Sequence, residues 1–194
     1  MVASVGRGAR ERILEAAYEL FSRHGVRGVG IEAIIVRSGV ARMTLYRHFK
    51  SKDELVLAFL DRRERQWTQN WLQSEVNQRA ADPSGRLLAI FDVFDGWFRK
   101  SEFEGCSFIN VLIEAGDTES RIYQESARYL ARIRNFIEDL AKEAGIADPE
   151  SFARKWHILM KGSIVSAAEG DVDAAQRARE VGALILEQAL PKTE

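Results

Sequence analysis

Cysteine is almost missing from this chain. The one present, Cys106, excludes an internal disulfide framework and cannot by itself make a cysteine-rich metal site. Histidine is nearly as scarce: His24, His48 and His157 lie far apart, with none of the spacings that a zinc or catalytic site needs. No nucleophile, base and oxyanion donor assemble anywhere, so no catalytic residue and no metal site is expected, and the chain does not read as an enzyme. No apolar run approaches the roughly 20 residues of a membrane span. Residues Met1 to Arg10 lack the apolar centre of a secretory signal, which makes the cytoplasm the expected compartment. Proline occurs three times (Pro83, Pro149, Pro191), each beside an expected helix boundary and never inside a helix.

Lys/Arg and Asp/Glu nearly cancel over the 194 residues, for a net charge of −1, but they are unevenly spread. Met1 to Lys52 holds ten Lys/Arg against four acids, a head of +6 on a remainder of −7. That polarity suits a chain whose one end meets a polyanion.

Apolar residues recur at spacings of three and four almost throughout, and no stretch alternates, so the fold is expected to be all-α. A first helix is expected over Arg10–His24, buried through Ile13, Leu14, Ala17, Leu20 and Phe21 and ended by Gly25 in a left-handed conformation. Two short helices follow, Ile31–Ser38 and Ala41–Phe49, broken at Gly39. Ser51 and Glu54 form a capping box for a longer helix that carries Leu55, Val56, Phe59, Leu60, Arg63 and Trp67 and links head to body. Asp82-Pro83 and Asp148-Pro149 each combine a cap with a proline that suits the first turn. A short helix over Ser107–Ala115, a long one capped by Asp117 or Thr118, and a last one over Asp171–Leu190 bring the total to about nine.

The two short helices have helix-turn-helix spacing, in which the second enters the major groove of DNA. On a wheel of Ala41–Phe49, Ala41, Leu45 and Phe49 face inward. Met43, Thr44, Tyr46 and Arg47 face outward, with Arg42 and His48 on the flanks. Arginine pairs bidentately with guanine or clamps a phosphate, and the threonine methyl suits a thymine methyl. Tyr46, His48 and Lys52 reach phosphate oxygens and fix register.

The run Gly39-Val40-Ala41-Arg42-Met43-Thr44-Leu45-Tyr46-Arg47-His48-Phe49-Lys50-Ser51-Lys52-Asp53-Glu54-Leu55, with Ile13 to Phe21 and His24-Gly25 upstream, resembles the signature of the tetracycline-repressor (TetR) family. The resemblance covers residues 7–67, the expected DNA-binding domain, and leaves 68–194 as a helical effector-binding and dimerisation domain. It implies that Thr44, Tyr46, His48 and Lys52 contact backbone or bases, with Arg42 and Met43 near base edges. Gly30 and Ala41 depart from the pattern, standing where Ser or Thr is usual, and imply fewer phosphate contacts there. Ile35 replaces a smaller residue.

The body concentrates aromatic residues: Trp67, Trp71, Phe91, Phe94, Trp97, Phe98, Phe103, Phe108, Tyr129 and Trp156. A helical bundle so furnished can host an apolar or aromatic small molecule, and the resemblance implies an inducer pocket of that kind. Trp67, Trp71, Phe91, Phe94, Phe98, Cys106 and Trp156 are its candidate lining. Small residues in the last two helices (Gly162, Ser163, Ser166, Ala167, Gly170, Ala174, Ala175, Ala178, Gly182, Ala183), with Leu159, Ile164, Leu184 and Leu186, offer a seam for a homodimer. Together these readings describe a ligand-responsive regulator, most simply a repressor, that binds a palindromic operator in double-stranded DNA as a dimer. The alternative is an activator or architectural DNA-binding protein without an effector.

Overall fold

Asp-Pro pairs set two of the helix starts in this chain, at Pro83 and Pro149. The structure, a computed structural model, describes residues 8–191; Arg7 and residues 192–194 lie outside the described residues. Ten α-helices and one π-helical segment are present, without strands among the described residues. They are α1 (Ala9–Gly28), α2 (Ile31–Ser38), α3 (Arg42–His48), α4 (Lys52–Arg63), the π-helical segment Glu64–Gln73, α5 (Ser74–Arg79), α6 (Pro83–Phe98), α7 (Ser107–Ala115), α8 (Arg121–Glu143), α9 (Pro149–Ala168) and α10 (Ala174–Ala189). Residues 52–79 are helical without a break, and counting them as one element brings the number among the described residues to nine.

Asp82 caps α6 by accepting the Gly85 N–H at 2.7 Å, and Asp148 caps α9 by accepting that of Ser151 at 3.1 Å. Three local expectations are corrected. Gly25 does not end α1; with φ 70° and ψ 164° it kinks the helix, and one further turn follows. Ser120, and neither Asp117 nor Thr118, caps α8 by accepting the Tyr123 N–H at 3.2 Å, while Asp117 Oδ1 accepts from Glu119 in a tight turn. The last helix opens at Ala174, three residues later than Asp171.

The described chain divides into two compact units. One holds residues up to Arg63 together with Ser107–Ala127. In it α1 packs on α2, α3, α4 and α7 around Ile13, Phe21, Ile34, Leu45, Leu55 and Phe59. Phe108, on α7, is buried and belongs to this unit. The second unit holds Glu64–Cys106 with Arg128 onward, and α10 packs there on both α6 and α9. Ala174, Ala175, Ala178 and Gly182 are buried inside this unit. A Cβ on Gly182 would stand 3.0 Å from the Trp156 ring and 3.1 Å from Phe91. Gly182 thus lets α10 approach these rings within the protomer, where a larger side chain would collide with them. Ile164 and Leu186 are buried as well.

Candidate nucleic-acid interface

A seven-residue helix cannot hold itself in water, so α3 depends on its surroundings. The scaffold beneath it is α1 bolted to α4. Phe59 meets Tyr18 and Phe21 edge-on at 5.4 and 5.6 Å. Arg62 pairs with Glu11 at 2.7 Å, and Arg63 donates to the Tyr18 hydroxyl at 2.8 Å. Arg10 lies over the Phe49 ring at 5.1 Å. Gly39 makes the turn before α3: at φ 63° and ψ 31° it takes the left-handed conformation and donates its N–H to the Ile35 carbonyl at 3.1 Å.

Leu45 and Phe49 are buried and anchor α3 as its wheel requires. Ala41 is not: it is the N-cap, with extended backbone (φ −71°, ψ 148°), and it is exposed. The wheel misplaces it because the helix begins one residue later. The opposite face of α3 is open, with Met43 81% exposed and Tyr46 38%. A shallow hollow of about 430 Å³ is lined by Met43, Thr44, Tyr46, Arg47 and Lys50. Four of the seven expected contact residues therefore share one surface. Arg42 is diverted, since its guanidinium pairs with Glu32 on α2. His48 and Lys52 are half-buried and lie outside the hollow.

Lys50 belongs to this surface although sequence reasoning used it only as a charge. Its place just after the buried Phe49 is the signal that identifies it. The adjoining capping box is asymmetric. Ser51 Oγ accepts the Glu54 N–H at 3.1 Å, but the Glu54 carboxylate takes the Lys50 N–H and not that of Ser51. Val36 on α2, exposed more fully than Met43, was also missed. At both departures from the family pattern, Gly30 and Ala41, the helix start has no side-chain cap.

In the second unit, Trp67, Trp71, Phe94 and Phe98 join Trp97 and Phe103 in one ring cluster. Trp97 lies 5.0 Å from both Trp67 and Phe103, and Phe94 and Phe98 are 5.5 Å apart. Phe91 extends it to Trp156 at 5.3 Å, which stacks on Phe152 at 5.1 Å. Cys106 is buried but is not part of the ring cluster; its charge neighbour is Lys161. His157, buried between the cations Lys161 and Arg134, has its pKa pushed down to about 3, with loss of hydration the first cause.

Residues 13–59 match the profile of the bacterial regulatory proteins of the tetR family, and residues 83–181 match that of the tetracyclin repressor-like C-terminal domain. The second match alone spans half of the chain. An HTH-type transcriptional repressor of Mycobacterium tuberculosis is 38% identical over 80 residues, 40% of this chain and 43% of its own length. An HTH-type transcriptional activator of Mycolicibacterium smegmatis is 45% identical over 53 residues, 27% of this chain and 24% of its own. The chain thus spans about half or less of these curated relatives. The crystal structure of a TetR-family transcriptional regulator from Streptomyces coelicolor superposes with a TM-score of 0.84 at 25% identity, over 93% of this chain and 95% of that one. No described helix is long and apolar enough to cross a membrane. With the two profiles covering head and body in the expected order, the chain belongs to the TetR family of bacterial regulatory proteins.

Proposed function

We propose that this protein is a ligand-responsive transcriptional regulator that binds a palindromic operator as a homodimer, reading it with α3. The observation that carries this reading is the open face of α3. A short helix fixed from behind by Leu45 and Phe49 presents Met43, Thr44, Tyr46, Arg47 and Lys50 on one surface. No core requires an exposed methionine and tyrosine there, whereas base edges and phosphates use both. Arg42 would exchange Glu32 for DNA, and His48 and Lys52 would supply phosphate contacts at the margin.

One recognition helix reads too few base pairs for an operator, so two copies are required. The surface that suits the second copy lies on the outward side of α9 and α10. Ile158, Val165, Val181 and Leu184 are exposed at helical spacings, with Gly162 between the first two. The aromatic cluster of the second unit is the proposed effector site, and the coupling between the two ligands would be about 1–3 kcal/mol and reciprocal. Repression is the simpler sign of regulation, because a bound dimer occludes its site.

The test is the salt dependence of binding to a duplex selected from a random pool. About six phosphate neutralisations per dimer give a slope of log K against log salt near −5. Lys50→Ala should flatten the slope and weaken all sequences alike, whereas Arg47→Ala, if it reads a base, should cost about 1–3 kcal/mol at one position. A flat salt response would remove the α3 surface from consideration.

A further inference from the structure

The π-helical segment buries two polar side chains that each carry an oxygen without a hydrogen-bond partner among the described residues. Glu64 is 2% exposed and Thr68 1%. Such burial of a carboxylate is rare without a partner. The ion pair to Arg132 is long, 3.6 Å from Glu64 Oε1, beyond hydrogen-bonding distance, and Arg132 is itself half-exposed and lies over the Tyr129 ring at 5.3 Å. Glu64 Oε2 and Thr68 Oγ1 have no hydrogen-bond partner among the described residues. Buried polar groups in folded proteins are nearly always satisfied, by protein, water or ligand. Four residues apart in a helix, these two atoms lie on one face. They also sit in a π-helical stretch, a rare conformation that concentrates at functional sites.

We propose that Glu64 and Thr68 form the polar subsite of the effector site and receive the protonated amine of an aromatic, amphipathic ligand. The proposal rests on the effector reading above and names the ligand's chemical class. A carboxylate oxygen only accepts, so the missing partner is a donor. An anion is excluded by charge. A neutral hydroxyl would satisfy Oε2 but leave the buried charge with only its long contact to Arg132; an ammonium answers both. Thr68 Oγ1 takes a second N–H of the same group. The segment also carries Trp67 and Trp71, whose rings are 5.5 Å apart and stand 5.0 and 6.2 Å from Trp97. This tryptophan cluster already receives one ammonium in the folded chain, since Lys100 Nζ lies 5.6 Å over the Trp71 ring.

The experiment titrates the full-length protein by calorimetry with three probes that share one ring system: 2-(1-naphthyl)ethylammonium, 2-(1-naphthyl)ethanol and 1-naphthylacetate. The amine should bind about tenfold or more tighter than the alcohol, and the carboxylate should not bind measurably. Glu64→Gln should bring the amine to the level of the alcohol and leave the alcohol unchanged, and Thr68→Val should weaken the amine by a few fold. Equal affinity of amine and alcohol, tighter binding of the carboxylate, or an amine indifferent to Glu64→Gln would overturn the proposal. So would no binding of any probe, which would leave a buried water as the partner of the pair. If Glu64→Gln does not fold, the ranking of the three probes on the unsubstituted protein decides alone. The same titrations with operator DNA present separate the two readings. An amine that binds through Glu64 without loosening DNA sustains the subsite and refutes its role as effector site. Release of DNA by a probe without preference for the amine does the reverse.

Discussion

Ala41 shows how much one side chain at a helix start can decide. It stands at the N-cap of α3 with backbone angles that serine adopts freely, and the N–H groups of the first turn have no side-chain oxygen to meet. Ala41→Ser should therefore raise stability by about 1 kcal/mol in a denaturant titration and strengthen operator binding through an added phosphate contact. Unchanged stability would mean that α3 is held entirely by Leu45 and Phe49. Those two anchors were legible from period alone, because a residue with neighbours at four-residue spacing on a short helix has one inward direction. The diversion of Arg42 to Glu32 was not legible, since it joins two helices whose relative placement no local pattern encodes. His157 gives a second test at this scale. Burial and its cationic neighbours hold its folded pKa near 3 against an ordinary 6.5, so the unfolded chain binds the extra proton between those values. The stability due to neutral His157 is complete above pH 6.5 and is lost as pH falls toward 3. His157→Leu should flatten the acid limb of a stability–pH curve over that window, by up to a few kcal/mol (about 1.4 per pH unit at most).

Among the elements, the kink in α1 couples to a residue far along the chain. Gly25 has a positive φ with an extended ψ, a region essentially closed to other residues, and a Cβ there would stand 2.4 Å from Glu114 Oε1 on α7. The same carboxylate accepts the Arg27 N–H at 2.7 Å and so caps the last turn of α1. Gly25→Ala should destabilise by about 1–3 kcal/mol, and Glu114→Ala by about 1.5–3 kcal/mol for the charged hydrogen bond. Because they share one contact, the double variant should cost less than their sum; strict additivity would show the two to be independent. Sequence alone marked Gly25 as a break, but it could not show a kink in place of a terminus, because the cap comes from Glu114. The Asp82-Pro83 and Asp148-Pro149 starts were legible for the opposite reason: cap, proline and first turn are all local. The π-helical register of residues 64–73 was invisible, since its apolar spacing also fits an α-helix, and with it went the inward turn of Glu64 and Thr68.

For the whole molecule, the family and the order of its two parts were legible in the run Gly39–Leu55, whereas the expected seam on α10 divides: Ala174, Ala175, Ala178 and Gly182 are buried and Leu184 stays exposed. Gly182 there admits Trp156 and Phe91 of the same chain, and Ile158, Val165, Val181 and Leu184 remain exposed on α9 and α10. Leu184→Glu should give a folded monomer, with circular dichroism unchanged and operator affinity reduced by two orders of magnitude or more, as expected when paired half-sites can no longer be held together. A dimer that survives this change would move the interface elsewhere. The most direct test of the account is the number of chains on a duplex recovered by selection from a random pool, measured by analytical ultracentrifugation. The account predicts an inverted repeat with half-sites about one helical turn (roughly 34 Å) apart, or a multiple of it, occupied by an even number of chains. A recovered sequence without two-fold symmetry, bound at full affinity by a single chain, would contradict it.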